Sequence, residues 1–281
     1  MTSVEAPTSG DWAGSRGARW LRDLDSLEAM LQPVGAGLIA RAGLQPGETV
    51  VDIGSGGGWT SARAAEAVGA GGRVLGLDIS ADLVGEAARR HGHLPQLAFR
   101  AGDAAGDAPP DAPFDRLISR FGVMFFADPP AAWKQLARLL RPGGRMDVAV
   151  WADPKLNPWA SELRNVVARH VEVPRPEPLA PGPFQLADPD YLDSVLAGAG
   201  FRGIERELVS KPLLVGGAGS TPQSAATFGL RAFGAGEALE GAPQAVIDAA
   251  TADLEAIYAR DQSADGVAVA GAWWLVSARL G

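Results

Sequence analysis

The chain has 281 residues, 47% of them hydrophobic and 21% charged, which suits one large globular domain with insertions. With no cysteine, disulfides, thiolate metal sites and cysteine nucleophiles are excluded, and only His91, His93 and His170 can offer imidazole. A formal net charge of −8 argues against nucleic acid as a partner, because that footprint is basic, and no apolar run approaches the ~18 residues of a membrane span. The first ten residues lack the basic start and apolar segment of an export signal, so a cytoplasmic protein acting on a small molecule is expected.

In chain order, residues 11–20 place Trp12 and Trp20 among glycines ahead of the first amphipathic helix, and such large apolar surfaces call for a cover. Leu24, Leu27, Met30, Leu31 and Val34 recur at helical spacing, predicting a helix that packs on a sheet. Residues 50–53 form an apolar strand that runs into Gly54-Ser55-Gly56-Gly57-Gly58 and then an Ala-rich helix over 61–68. Such glycines let the chain turn tightly and let a ligand approach bare backbone, while the helix start points free N–H groups at it. The spacing Asp52-x-Gly54-x-Gly56-x-Gly58 departs from the dinucleotide fingerprint, which wants glycine where Trp59 stands.

A strand over 73–79 completes a βαβ unit and puts Asp78 at its carboxyl end, where a doubly wound sheet presents an acid to a ribose. Ser80 is then the cap of a helix over 82–90. A third strand over 97–101 leads to Asp103, and a fourth from Phe114 empties into an aromatic turn holding Phe121, Phe125 and Phe126. A helix over 130–140 stops at Arg141-Pro142-Gly143-Gly144 before a fifth strand over 146–151. Between 153 and 190 prolines surround one helix, 159–171, which predicts an inserted lid beside the strand ends. A helix over 191–199, a long strand over 204–215, two or three helices within 221–258 and a strand over 267–279 follow.

The Asp52-to-Gly58 stretch resembles the first motif of class I S-adenosylmethionine-dependent methyltransferases, and Leu139-Leu140-Arg141-Pro142-Gly143-Gly144 is similar to a later phrase of that family. Trp12, Gly14, Gly17 and Trp20 match a Trp-x-Gly-x-x-Gly-x-x-Trp segment of its small-molecule branch, the one similar to the ubiquinone and menaquinone biosynthesis enzymes, where it folds over the cofactor. The resemblance implies a Rossmann-like, doubly wound α/β sheet of seven strands with an antiparallel last strand. It also implies an N-terminal helical lid over 1–40, a cofactor-binding core over 41–152, and a remainder over 153–281 that holds the lid insertion, inserted helices and last two strands.

S-adenosylmethionine is the implied cofactor, with S-adenosylhomocysteine as its product. In the resembled family the acid at Asp52 orders the loop, and the backbone of Gly54, Ser55, Gly56 and Gly58 passes close to the cofactor. Asp78 with Ile79 takes the ribose, Asp103 with Ala104 takes the adenine, carbonyls of Ser119 and Arg120 receive the ammonium, and Phe121 walls the transfer site. Trp12 and Trp20 either cover the cofactor or cap the core.

Methyl transfer from a sulfonium is an in-line displacement that needs donor and acceptor held at ~3 Å and little dedicated chemistry. An oxygen acceptor gains from a base. His170, which shares a helical face with Leu163, Val166 and Val167, is one candidate; Glu162 and Tyr191 are others, and a pocket without a discrete base is a further reading. The expected activity is methylation of a phenol, carboxylate, amine or activated carbon, with a homodimer as the assembly allowed for. Three alternatives stay open: a non-methyl-transfer reaction on the same cofactor, a silent binding or scaffold protein, and a nicotinamide oxidoreductase, against which Trp59 and the lack of a Tyr-x-x-x-Lys pair count.

Overall fold

Helical spacing of the apolar residues at the start of the chain gives three consecutive helices, α1 (Ser9–Ala13), α2 (Ser15–Arg22) and α3 (Leu24–Ala42). The computed structural model describes residues 9–106, 108–174 and 177–281; residues 1–8 of the expected lid and 175–176 of the expected insertion lie outside them. The tryptophan segment read as preceding the first helix is thus itself helical, interrupted at Gly14. On α3 the side chains of Leu24, Leu27, Met30, Leu31, Val34 and Leu38 are buried, and the helix lies against the central sheet.

The alternation of strand and helix continues with β1 (Thr49–Ile53), α4 (Trp59–Val68), β2 (Arg73–Asp78), α5 (Ala81–His91), β3 (Leu97–Ala101), β4 (Phe114–Arg120), α6 (Pro129–Arg138) and β5 (Leu140–Trp151). These five strands pair in parallel in the order β3-β2-β1-β4-β5. Near-continuous burial of β1, β2 and β4 is what a parallel sheet covered on both faces requires.

After α7 (Pro158–Val167) and α8 (Pro189–Gly198) come β6 (Phe201–Leu214), α9 (Pro222–Ala232), α10 (Gln244–Tyr258), the two-residue β7 (Gln262–Ser263) and β8 (Gly266–Leu280). The last strand inserts antiparallel between β5 and β6, so the main sheet path has the seven strands and the antiparallel final strand expected; β7 adds only a short hairpin to β8. Among the described residues no helix is long and apolar enough to cross a membrane.

Several boundaries differ from the sequence reading, among them the start of the sixth strand at Phe201 and not Ile204, and two bear on the site. The fifth strand begins at Leu140 and not at Met146, because Leu140 pairs with Phe114 before the Pro-Gly-Gly stretch shifts the register. The helix expected to run to 171 ends at Val167, where His170 N–H turns back to the Val167 carbonyl at 3.0 Å and the last turn tightens.

Candidate functional site

The strand order reverses between β1 and β4, and in an open α/β sheet that switch point leaves a crevice at the carboxyl ends of the strands. A deep cleft lies there. Its lining includes Gly54 to Gly56 after β1, Asp78 and Ile79 at the end of β2, Gly102 to Ala104 after β3, Arg120 to Gly122 at the end of β4 and Trp151 at the end of β5.

Hydrogen bonds to β2 shape the glycine turn. Gly54 and Ser55 donate their N–H groups to the Leu77 carbonyl at 2.8 and 3.2 Å, and Gly56 N–H donates to Asp78 Oδ2 at 2.8 Å. The other Asp78 oxygen accepts from Ser80 N–H at 2.9 Å, while the Ser80 hydroxyl accepts from Leu83 N–H and caps α5. Asp78 therefore ties turn to strand end and leaves the capping of α5 to Ser80. Burial holds its carboxyl above the ordinary value, opposed by N–H donors from Ser80, Gly56 and Ile79.

Asp52 lies behind the turn, fully buried, and accepts the Ser61 hydroxyl at 2.6 Å. Desolvation pushes its carboxyl up to about 7, partly offset by the Ser61 bond and by Arg120. Asp103 is exposed at the opposite rim, one oxygen taking Ala105 N–H at 2.9 Å. Leu77, Ile79, Leu83 and Ala104 give this part of the cleft an apolar lining between the two acids.

Beyond the end of β4 the lining turns aromatic. Phe121 has a left-handed backbone, φ 69°, which costs energy for a non-glycine residue, and its ring stacks on Trp151 at 4.1 Å and 12°. Trp159 lies 4.8 Å from Trp151 and 4.9 Å from Phe233, while Trp12 meets Trp20 edge-on at 5.6 Å and Phe125 at 4.9 Å. The proline-rich segment is pinned to the same turn, with Gly182 N–H on the Met124 carbonyl at 3.0 Å and the Gln185 amide on the Phe126 carbonyl at 2.8 Å. That places Pro183 in the lining.

Ion pairs join the two sides of the mouth. Arg19 on α2 binds Glu237 at 2.6 Å and Glu240 at 2.7 Å, and Arg16 binds Glu237 at 3.1 Å. Arg231 on α9 also pairs with buried Asp23 between α2 and α3. Arg16, Arg19 and Glu237 all line the cleft.

Of the cofactor residues expected from the sequence, Trp12, Trp20, Gly54, Ser55, Gly56, Asp78, Ile79, Asp103, Ala104, Arg120 and Phe121 line this one cleft, while Asp52, Gly58 and Ser119 do not. Gly58 starts α4 with its α-carbon toward Phe99 and His91, and the Ser119 hydroxyl donates to the Ile53 carbonyl at 2.7 Å, so both shape the loops from behind. The three candidate bases are not brought to the cleft. His170 lies past the end of α7 and pairs with Asp253 on α10 at 2.9 Å, because the early end of α7 turns its ring away from the face shared with Leu163 and Val166. Glu162 faces Arg260 at 3.8 Å, and Tyr191, on α8, is half-buried near Asp128.

Sequence reasoning missed Glu28, Trp159, Phe233, Arg16, Arg19 and Glu237 as lining residues. Glu28 had a signal: it is a charge beside Leu27 and Leu31 on the apolar stripe of α3. Phe233 and Glu237 had none.

Residues 50–144 match the family described as "Methyltransferase domain". A demethylmenaquinone methyltransferase from Beutenbergia cavernae is 38% identical over 118 residues, 42% of this chain and 45% of that protein. A nocamycin O-methyltransferase from Saccharothrix syringae is 36% identical over 134 residues, 46% of this chain and 47% of its own. The chain thus spans about half the length of the curated relatives it matches. Among solved structures, the YcgJ protein of Bacillus subtilis superposes with a TM-score of 0.57 at 17% identity, covering 88% of this chain and 97% of that one, a likeness of fold. The sheet order is the Rossmann-like one expected, and the methyltransferase-domain match over residues 50–144 bears out, for that part of the chain, the resemblance read from the glycine turn.

Proposed function

We propose that the protein transfers a methyl group from S-adenosylmethionine to a small, flat, conjugated acceptor in the cytoplasm. The observation that carries this reading is the continuity of one cleft: an acid-rimmed, apolar slot at the ends of β2 and β3 opens past Phe121 into a chamber walled by Phe125, Phe126, Trp151, Trp159 and Phe233. The slot suits an adenosine, with Asp78 for the ribose hydroxyls, Asp103 for the exocyclic amine and Ile79, Leu83 and Ala104 against the ring. Unpartnered buried polar atoms on three lining residues, Trp12 Nε1, Ser55 Oγ and Arg120 Nη1, fit a polar ligand in this region.

When bound, the cofactor supplies an electrophilic methyl group on a sulfonium. The chain's own residues contribute alignment and exclusion of water: aromatic faces attract the cation by about 0.5–2 kcal/mol each, and holding the acceptor in line supplies several kcal/mol of the barrier. Among the described residues the carboxylates of the lining are Glu28, Asp78, Asp103 and Glu237, and no histidine, lysine or tyrosine lines it. Glu28 and Glu237 are held by arginines. The reading is therefore of an acceptor that arrives ready to react, as an ionised phenol or an electron-rich ring carbon. By their names the two relatives act on demethylmenaquinone and as an O-methyltransferase for nocamycin, and both names are compatible with such acceptors.

Methyl-labelled cofactor incubated with flat phenols and hydroquinones, small carboxylates and small amines tests the reading. Label is expected in the aromatic acceptors; transfer to the amines or carboxylates alone would contradict it.

A further inference from the structure

Charge in the cleft lining is segregated. Glu28 and Arg120 pair with each other, and the charged side chains that remain among the described residues are Asp78 and Asp103 at the slot, and Arg16, Arg19 and Glu237 beside the aromatic chamber. The α2 helix spans both parts. A Cβ on its Gly17 would stand 2.8 Å from Ser80 Oγ at the start of α5, and Trp20 Nε1 lies 3.8 Å from where a Cβ on Gly56 would stand, so one face of α2 roofs the slot. Arg16 and Arg19 belong to an adjoining face. They reach the turn Gly234–Leu239 that follows Phe233, where a Cβ on Gly234 would stand 4.0 Å from Arg16 Nη1 and 3.6 Å from Glu237 Oε1.

Two guanidiniums thus meet one lining carboxylate. Arg16 and Arg19 are three positions apart on one helix, where like charges repel, and their side chains are only 22% and 19% exposed. Glu240, the second partner of Arg19, is 71% exposed and lies outside the lining. A strut between α2 and the turn after α9 needs one such guanidinium, and ion pairs at this exposure contribute little to stability. What the second one supplies is an excess of positive charge at the chamber. The same lid carries a further donor, Trp12 Nε1, buried without a hydrogen-bond partner in the protein on a ring that packs against Phe125. Asp78 and Asp103 at the other end repel an anion, so a flat ligand with one acidic group is drawn in with that group under α2 and its ring toward Phe233 and Trp159.

We infer that the methyl acceptor is an anion, a flat conjugated molecule whose carboxylate is held by Arg16 and Arg19 in competition with Glu237. The inference rests on the acceptor reading above and narrows it: the carboxylate is a handle that orients the ring, and the methylated atom lies elsewhere on the same molecule. Because both guanidiniums belong to α2, holding the handle also ties acceptor binding to the seating of that helix over the slot.

Calorimetry in saturating S-adenosylhomocysteine with three matched probes tests it: cinnamate, cinnamyl alcohol and cinnamylamine share a flat conjugated body and differ in charge. In the parent, cinnamate is expected to bind roughly tenfold tighter than the alcohol, with the amine weakest. Arg16→Gln combined with Arg19→Gln should bring cinnamate within about twofold of the alcohol, and Arg19→Gln alone serves if thermal melting reports the double variant unfolded. Glu237→Gln separates recognition from bracing. Removing a competing carboxylate should raise the ratio of cinnamate to alcohol affinity about threefold, whereas loss of a strut weakens both probes alike. No preference for cinnamate in the parent, a ratio unmoved in folded arginine variants, or a ratio unmoved or lowered in Glu237→Gln overturns the inference. A protein that takes up S-adenosylhomocysteine but none of the three probes overturns the aromatic-acceptor reading beneath it, and one that binds no S-adenosylhomocysteine overturns the cofactor reading.

Discussion

Gly54 and Gly122 meet backbone to backbone: a Cβ on Gly54 would stand 2.6 Å from the Gly122 α-carbon, so the loops after β1 and β4 close on each other only because both residues lack side chains. Gly54 also has φ 68°, a conformation that strains other residues. This contact holds the sulfur end of the proposed cofactor site against the turn that carries Phe121. Gly54→Ala or Gly122→Ala should lower the unfolding free energy by about 2 kcal/mol or more, whereas Gly43→Ala, in the left-handed helical region at φ 54° and ψ 44° with its nearest atom 3.9 Å away, should cost only about 1 kcal/mol. Urea unfolding of the three variants checks the order, and equal costs would mean the loop contact yields easily.

Asp78 ties the turn and rims the slot at once. Asp78→Ala should weaken S-adenosylhomocysteine by about 2–3 kcal/mol, through lost charge-assisted bonds to the ribose and through release of Gly56. Asp78→Asn should cost less. Because Ser80 holds the α5 cap, the melting temperature should change far less than the affinity. A variant that unfolds while its native fraction binds normally would make Asp78 purely structural.

The buried Asp52 carboxyl has a folded pKa of about 7 against an ordinary 3.8, the rise coming chiefly from desolvation. The folded state thus holds a proton between these values that the unfolded chain has released. Stability should fall as pH rises from about 4 to about 7, with a slope from this group of at most about 1.4 kcal/mol per pH unit. Asp78, raised in the same direction, adds to the trend. Asp52→Asn should flatten it, as measured by urea unfolding at pH 5 and pH 7.5; an unchanged slope would mean Asp52 is ionised in the native state.

The clasp of Arg16 and Arg19 on Glu237 joins residues more than two hundred positions apart across the mouth of the cleft. Its members are partly exposed, so screening keeps the coupling to about 1 kcal/mol, and Glu237→Gln should raise hydrogen exchange of α2 about fivefold. Added salt should do the same to the parent and little to the variant. Removing residues 1–20 takes away the clasp with Trp12 and Trp20; the shortened protein should stay folded and lose most of its cofactor affinity. A truncated protein that binds as the parent does would leave both rings as packing.

Strand ends were legible in the sequence because turn glycines and buried β runs are local signals: Asp78, Asp103 and Phe121 stand where their strands stop. Trp12 and Trp20 were legible as rings in need of a surface to meet, and both line the cleft. Tertiary partners were not. His170 shares the helical phase of Leu163 and Val166, yet the end of α7 and the approach of Asp253 from α10 decide where its ring goes. Glu237 reads as an ordinary surface acid until α2 is laid against it. Trp59, which broke the dinucleotide spacing, proves to be packed against Arg120, a role visible only once the start of α4 and the end of β4 meet.

Calorimetric titration of the purified protein with S-adenosylhomocysteine, alongside NAD as a control, tests the central claim most directly. A single site of micromolar or tighter affinity for S-adenosylhomocysteine, with no heat from NAD, is the result predicted by a cleft rimmed with Asp78 and Asp103. Heat from NAD with none from S-adenosylhomocysteine would contradict it.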